Sequence, residues 1–241
     1  MIKSIGILLV NTDRSDFAKQ FDSDEVKFKK LLIPYRPDWK LNIIPVIDNI
    51  FPDAIDANDA YIITGSPASV NDSHSWIPKL YEFIRELNTH KYPTIGICFG
   101  HQVIANALGG KIASNPSGWS LGMEATEFPS RLGWMQPTQS SLNLYSAHTE
   151  QVIEPPNGAT IIGTSANCHN AAYVIDRHIM TTQYHPEMSL DFISNLVEHL
   201  QPNIPKDVFT TAHKQLTQPC HRALFARWMV TFLEQSTSHT A

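Results

Sequence analysis

Cysteine is scarce in this chain. Cys98, Cys168 and Cys220 are all that its 241 residues contain, and no two stand at C-x-x-C spacing. That excludes a disulfide framework and points to a reducing, cytoplasmic compartment. Long hydrophobic runs are missing too. The N-terminal run 5–10 is too short for a membrane span or a signal-peptide core, and no cleavage-like site follows it. The net charge of −5 is spread out with no Lys/Arg block, so no nucleic-acid partner is suggested. A P-loop and a G-x-G-x-x-G are both absent, which leaves nucleotide binding without local support. The eleven histidines form no H-E-x-x-H. Pro219-Cys220 lacks the second cysteine of a zinc deaminase signature. His148-Thr149-Glu150 has His-x-Glu spacing but no accompanying ligand set. No metal and no cofactor are expected.

What is present is a globular composition, 42% hydrophobic and 17% charged, at a length that suits one large domain or one with a small appendage. Short continuous apolar runs at 5–10, 41–46, 60–63 and 94–97 read as buried parallel strands, the second ended or edged by Pro45. Ile77, Leu80, Ile84 and Leu87 at helical spacing lie between the third and fourth runs, which predicts strand, crossover helix, strand. Val103, Ile104, Ala107 and Leu108 form another helical face, stopped by Gly109-Gly110. Segments 111–113, 120–127, 142–146, 160–164, 171–176 and 179–184 read as short strands, expected as hairpins added to the parallel core. Residues 190–200 read as a closing helix. The expected division is a domain over 1–200 and a helical extension over 201–241 packed on it.

The chemistry centres on Gly96-Ile97-Cys98-Phe99-Gly100, where an apolar run stops at a cysteine between two glycines and a helical stretch follows. That is a nucleophile-elbow pattern with cysteine in place of serine; its glycines permit a tight turn and close helix–strand packing. Sulfur at a helix N-terminus feels the positive end of the dipole, which favours negative charge on it. The bland alternative is a buried structural cysteine. A nucleophile needs a base, and Gln183-Tyr184-His185-Pro186-Glu187 offers one. On extended backbone His185 and Glu187 share a face, so Glu187 can orient the imidazole. Thr64-Gly65-Ser66-Pro67 ends another predicted strand. Its backbone N–H groups, with that of Phe99, can form an oxyanion hole at the strands' carboxyl ends.

These pieces, together with Leu108-Gly109-Gly110-Lys111, resemble the class I (triad) glutamine amidotransferase domain, and most closely its stand-alone, GMP-synthase-like members. They occur in that family's order and cover about residues 5–200. The resemblance implies an α/β fold of flavodoxin-like type: a mostly parallel central sheet flanked by helices, with added hairpins. It implies Cys98 as nucleophile, His185 as base and Glu187 as orienting acid, with oxyanion donors near Gly65, Ser66 and Phe99. Gln102 stands where the family contacts the substrate glutamine. Ser146-Ala147-His148-Thr149-Glu150 resembles the Ser-His-Gly-Asp segment of the glutamine pocket, which makes His148 and Thr149 substrate-binding candidates. There are departures. Ser66 replaces a glycine and would be strained if that position needs positive φ. Thr149 and Glu150 replace Gly and Asp, which bears on substrate identity. The synthetase half that would use the ammonia is not expected within this sequence.

The expected activity is release of ammonia from the glutamine side chain through a γ-glutamyl thioester on Cys98. A γ-glutamyl peptidase is the near alternative, with Trp119, Trp134 and Tyr145 shaping an opening for a larger leaving group. A non-catalytic binding or regulatory module is the distant one. The expected partners are glutamine or another γ-glutamyl small molecule, and an acceptor subunit or a second copy of the chain.

Overall fold

The structure, a computed structural model, describes residues 2–129 and 131–236. In chain order the elements are β1 (Ser4–Leu9), α1 (Asp24–Leu32), β2 (Lys40–Pro45), β3 (Ala60–Ile63), α2 (Trp76–Thr89), β4 (Thr94–Ile97), α3 (Phe99–Ala107), β5 (Lys111–Ser114), β6 (Ser120–Glu127), β7 (Ser141–His148), β8 (Glu150–Glu154), β9 (Ala159–Gly163), β10 (Ala172–Ile175), β11 (Ile179–Thr182), α4 (Leu190–Leu200), α5 (Lys206–Gln215) and α6 (Arg222–Ser236).

A seven-stranded sheet in the order β2-β1-β3-β4-β11-β10-β9 is the frame. β2, β1, β3, β4 and β11 run parallel, with Ile7 opposite Ile62, Ile62 opposite Ile95 and Ile95 opposite Met180. Pro45 closes β2 on the sheet edge, where a missing N–H costs no ladder bond. The inner strands are apolar without alternation because both faces are covered. Ile7, Ile62, Ile95 and Met180 pack in one cluster with Phe28 of α1 and Trp228 of α6. Leu8, Tyr61, Ile63 and Ile179 pack on the other face with Leu80 and Ile84 of α2 and Val103 of α3.

The mid-chain strands divide. β6 and β7 form an antiparallel pair of their own, as do β5 and β8. β10 and β11, expected as an added hairpin, extend the main sheet, with β10 antiparallel to both of its neighbours. The β6–β7 ribbon, α4 and α5 bury a third cluster containing Leu121, Tyr145, Ile193, Val197 and Leu216.

Helix α1 has no counterpart in the sequence reading. Its lysine-rich segment buries only Phe28, Leu31 and Leu32, a stripe too short to stand out. Its start is nevertheless well made: the Ser23 side chain accepts from Val26 N–H, and Asp24 and Glu25 sit at the positive end of the helix. At the other end of the chain, α6 buries Phe225, Trp228, Met229, Phe232 and Leu233 in the cluster shared with the sheet. The last five positions of the extension, 237–241, lie outside the described residues.

Candidate active site

Cys98 connects β4 to α3 in a conformation that L-residues rarely adopt, φ 51° and ψ −103°. Such backbone costs about 1–3 kcal/mol and persists only where neighbours over-determine it. Here they do. Cys98 N–H donates to Thr182 O at 2.8 Å, and Gly100 N–H to Thr64 O at 3.2 Å. The flanking glycines serve close approach. A Cβ on Gly100 would run into the Ile63 carbonyl oxygen, and one on Gly96 would lie 2.6 Å from Gly100 O. The helix is thus pressed onto β3 and β4, with the thiol at its first turn. Phe99 opens α3, so its N–H is among those a helix leaves without an internal partner.

His185 and Glu187 follow β11, and both are buried. His185 Nδ1 donates to Glu187 Oε1 at 2.6 Å, while His185 Nε2 has no hydrogen-bond partner among the described residues. The backbone of His185 is tied to β7 through its N–H to Tyr145 O at 2.8 Å. Burial pushes the imidazole toward neutrality, but the Glu187 charge and the neighbouring Cys98 outweigh it and hold its pKa well above the ordinary value. Burial likewise opposes ionisation of Glu187, and the His185 charge overcomes it, holding that carboxyl low. A Cβ on Gly65 would lie 2.9 Å from His185 Cε1 and 3.6 Å from Cys98 Cβ. Ring and thiol therefore flank one point at the end of β3, and only a residue without a side chain fits there. Cys98 biases the ring's proton affinity although Nε2 is not in hydrogen-bond geometry with it, a looseness usual before substrate arrives.

The elbow opens into a cavity of about 500 Å³. Gly65, Ser66, Cys98, Gln102, His148, Thr149, His185 and Glu187 all line it, so it collects every site residue proposed from the sequence except Phe99, which is buried beneath. Ser66 is not among the residues with positive φ, so the strain considered for it does not arise; its hydroxyl accepts from Ala68 N–H at 3.2 Å. Gln102 Nε2 donates to Glu150 O at 2.7 Å and to Gln183 Oε1 at 3.2 Å. Both amide hydrogens are spent, so its carbonyl oxygen is what it can offer a ligand. His148 Nδ1 donates to Glu150 O at 3.0 Å. Burial, reinforced by the nearby His185 charge, lowers the His148 pKa to about 4, which leaves a neutral ring with Nε2 as an unused acceptor.

Of the three aromatics considered for the opening, Trp119 lines the cavity. Trp134 does not: it is buried edge-on against Trp228 and Phe232. Tyr145 packs in the third cluster and contributes its carbonyl to His185. Sequence reasoning missed Gln183, whose Nε2 donates to Cys98 Sγ at 3.6 Å; it stood in the quoted His-Pro-Glu motif without a role. It also missed the outer wall, formed by Asn11, Phe17 and Lys27 from the N-terminal region and by Phe192, Leu196 and His199 from α4. No local signal marks those positions. Among the described residues, no cluster of His, Cys, Asp and Glu is arranged to hold a metal ion.

A mostly parallel α/β sheet with cysteine on a strained strand-to-helix turn is the architecture of a cysteine-dependent hydrolase. Residues 36–194 match the family model of class-I glutamine amidotransferases, and the chain belongs to that family. It is similar to a glutamine amidotransferase-like protein of Schizosaccharomyces pombe, 32% identical over 65% of this chain and 62% of the relative, so the match spans less than two thirds of that protein. Gamma-glutamyl peptidase 3 of Arabidopsis thaliana is 31% identical over 66% of this chain and 67% of its own length. The crystal structure of a glutamine amidotransferase from Thermotoga maritima has the same fold, with a TM-score of 0.72 at 16% identity, covering 97% of this chain and 98% of the other.

Proposed function

We propose that the chain hydrolyses a γ-glutamyl amide through a thioester on Cys98. The observation that carries this is the buried His185–Glu187 pair at 2.6 Å, flanking Gly65 beside the strained Cys98. In this reading the Cys98 thiolate attacks the side-chain carbonyl of the γ-glutamyl group. Charge collects on the carbonyl oxygen, where the N–H groups of Gly65 or Ser66 and of Phe99 act as donors; losing one such donor costs roughly 10²–10³ in rate. The C–N bond breaks as His185 passes its Nε2 proton to the departing nitrogen. Water then gives a proton back to His185 and attacks the thioester, releasing glutamate and the thiolate. Glu187 holds the ring's orientation and its charge. Gln102, His148 and Thr149 contact the glutamyl moiety.

Glutamine, with ammonia as the leaving group, is the first substrate this predicts. A γ-glutamyl peptidase is the second reading, and it is favoured by the continuation of the cavity past the elbow to Phe17, Phe192, Leu196 and His199. That outer wall is aromatic, with Phe17 stacked on His199 at 4.3 Å, and suits a leaving amine larger than ammonia. An acceptor subunit or a second copy of the chain is the partner proposed for the glutaminase reading, with no membrane and no nucleic acid. No described helix is long and apolar enough to cross a membrane. With three free thiols, a cytoplasmic setting is proposed. The division into a 1–200 domain and a 201–241 extension is kept as a proposal, the first part carrying the chemistry.

The test is a panel of glutamine, γ-glutamyl dipeptides and glutathione conjugates with product mass measured, run on wild type and Cys98→Ala. Turnover of one class by wild type alone is the expected result. Undiminished turnover in Cys98→Ala overturns the mechanism. No labelling of Cys98 by a glutamine-analogue electrophile would instead favour a binding module.

A further inference from the structure

Between α5 and α6 the chain returns to the ribbon that holds the catalytic loop. His221 N–H donates to Asn143 O at 2.8 Å, Asn143 N–H donates to His221 Nδ1 at 2.9 Å, and Asn143 Nδ2 donates to Pro219 O at 3.3 Å. The next residue, Arg222, reaches the other way. Its Nε donates to Pro186 O and its Nη2 to Glu187 O, both at 3.1 Å. The loop after β11 is therefore held at two places: His185 N–H on β7, and the carbonyls of Pro186 and Glu187 on one guanidinium. Among the described residues no carboxylate pairs with Arg222 in a salt bridge, so its fork is directed at the loop.

We propose that Arg222 is a positioning residue for the His185–Glu187 pair. The proposal rests on the reading of Cys98, His185 and Glu187 as the reacting groups. Buried carbonyls need donors, and a planar fork fixes two of them in a defined relation, which a point charge cannot do. The backbone of Glu187 is thereby set, and with it the reach of its carboxylate to Nδ1. Arg222 lies outside the residues 36–194 that match the family model, so the family span alone does not contain this brace. The other titratable or charged groups that act on the pair are Cys98, His148 on β7 and, toward Glu187, Lys27 on α1. They belong to other elements than Arg222.

A residue that only staples α6 to the body would affect stability. A positioning residue also moves the chemistry. The full chain is compared as wild type, Arg222→Ala, Arg222→Lys and a control, Arg227→Ala, on the exposed side of α6. The probes are iodoacetamide, with site-resolved labelling of Cys98 across pH, and γ-glutamyl-p-nitroanilide for kcat and KM. With Arg222→Ala, kcat is expected to fall by about 10–100-fold with KM little changed, the scale of a small misplacement of reacting groups. The alkaline limb of the pH profile should move to lower pH as Glu187 loses its hold on the ring. Arg222→Lys should recover part of the rate, and Arg227→Ala should match wild type. Wild-type kcat per folded molecule together with a wild-type pH profile in Arg222→Ala overturns the proposal. If that variant does not fold, the same result in Arg222→Lys does so. If wild-type Cys98 is itself neither labelled nor active, the reading of the site has failed.

Discussion

His101, His148 and His185 influence one another in a row, and only His185 is built to carry a positive charge. Burial lowers the pKa of His101 to about 3 and that of His148 to about 4, each disfavoured further by the next ring. His185 is just as deep, and Glu187 reverses the outcome, holding its pKa up at about 10. Replacing Glu187 with Gln keeps the shape and removes the charge. Burial is then opposed only by Cys98, so the His185 pKa should fall, and in the proposed mechanism less imidazolium is left to protonate the departing nitrogen. The expected loss in kcat is roughly 10²-fold or more, the usual contribution of positioned acid–base catalysis. Stability should respond with a defined sign. The Glu187 contribution is present above its ordinary value of about 4.5 and is lost as pH falls from there through its lowered folded value. The His185 contribution is complete below about 6.5 and fades as pH rises toward 10. Urea unfolding of wild type and Glu187→Gln should thus differ most at about pH 5–6 and converge in alkali. A constant difference across that range would contradict the ion pair.

Helix α6 shows how an element distant in sequence supports the sheet that carries the elbow. Trp228 is fully buried, stacks edge-on with Phe128 at 5.1 Å, and donates Nε1–H to Pro137 O at 3.0 Å. Trp228→Ala removes a large side chain from a layer shared with Ile62 and Ile95, and should cost roughly 3–5 kcal/mol. Denaturant unfolding measures this directly, and a loss below 1 kcal/mol would mean that α6 is not part of the sheet's core. The helical character of the extension was legible in the sequence, as were β1 to β4, α2 and α3, because each of these buries a continuous or periodic apolar pattern. Helix α1 was not, since its three buried residues sit among lysines. Nor was the parallel pairing of β11 with β4, because a short apolar strand carries no mark of which neighbour it takes. The elbow's geometry and the His185–Glu187 contact were readable because their patterns are local: two residues apart, or two glycines around one cysteine. Gln183 and Arg222 depend on contacts 85 and 35–36 positions away, which spacing does not encode.

At the scale of the molecule, the cavity is where these distant parts meet. Its walls come from the chain after β1, from α1, from the turn after β3, from the elbow, from the end of β7 and from α4. Side-chain contacts also tie some of these walls to one another: Asn11 to Asp24 at 3.0 Å, Asp24 to Lys27 at 3.1 Å, and Lys27 over the Phe192 ring at 4.1 Å. A ligand that touches them together binds the folded chain and not the unfolded one, so it must raise stability by mass action. With turnover blocked by Cys98→Ala, a γ-glutamyl ligand at about 100 times its Kd adds roughly 2.7 kcal/mol. For a chain of this size that corresponds to about 5–11 °C in Tm. Because the wall beyond Cys98 is formed by Phe17, Phe192, Leu196 and His199, an aromatic γ-glutamyl amide should need a lower concentration than glutamine to give the same shift. Thermal unfolding of Cys98→Ala against both ligands decides it. Equal concentrations would confine recognition to the glutamyl end, and the outer wall would then serve a partner or nothing at all.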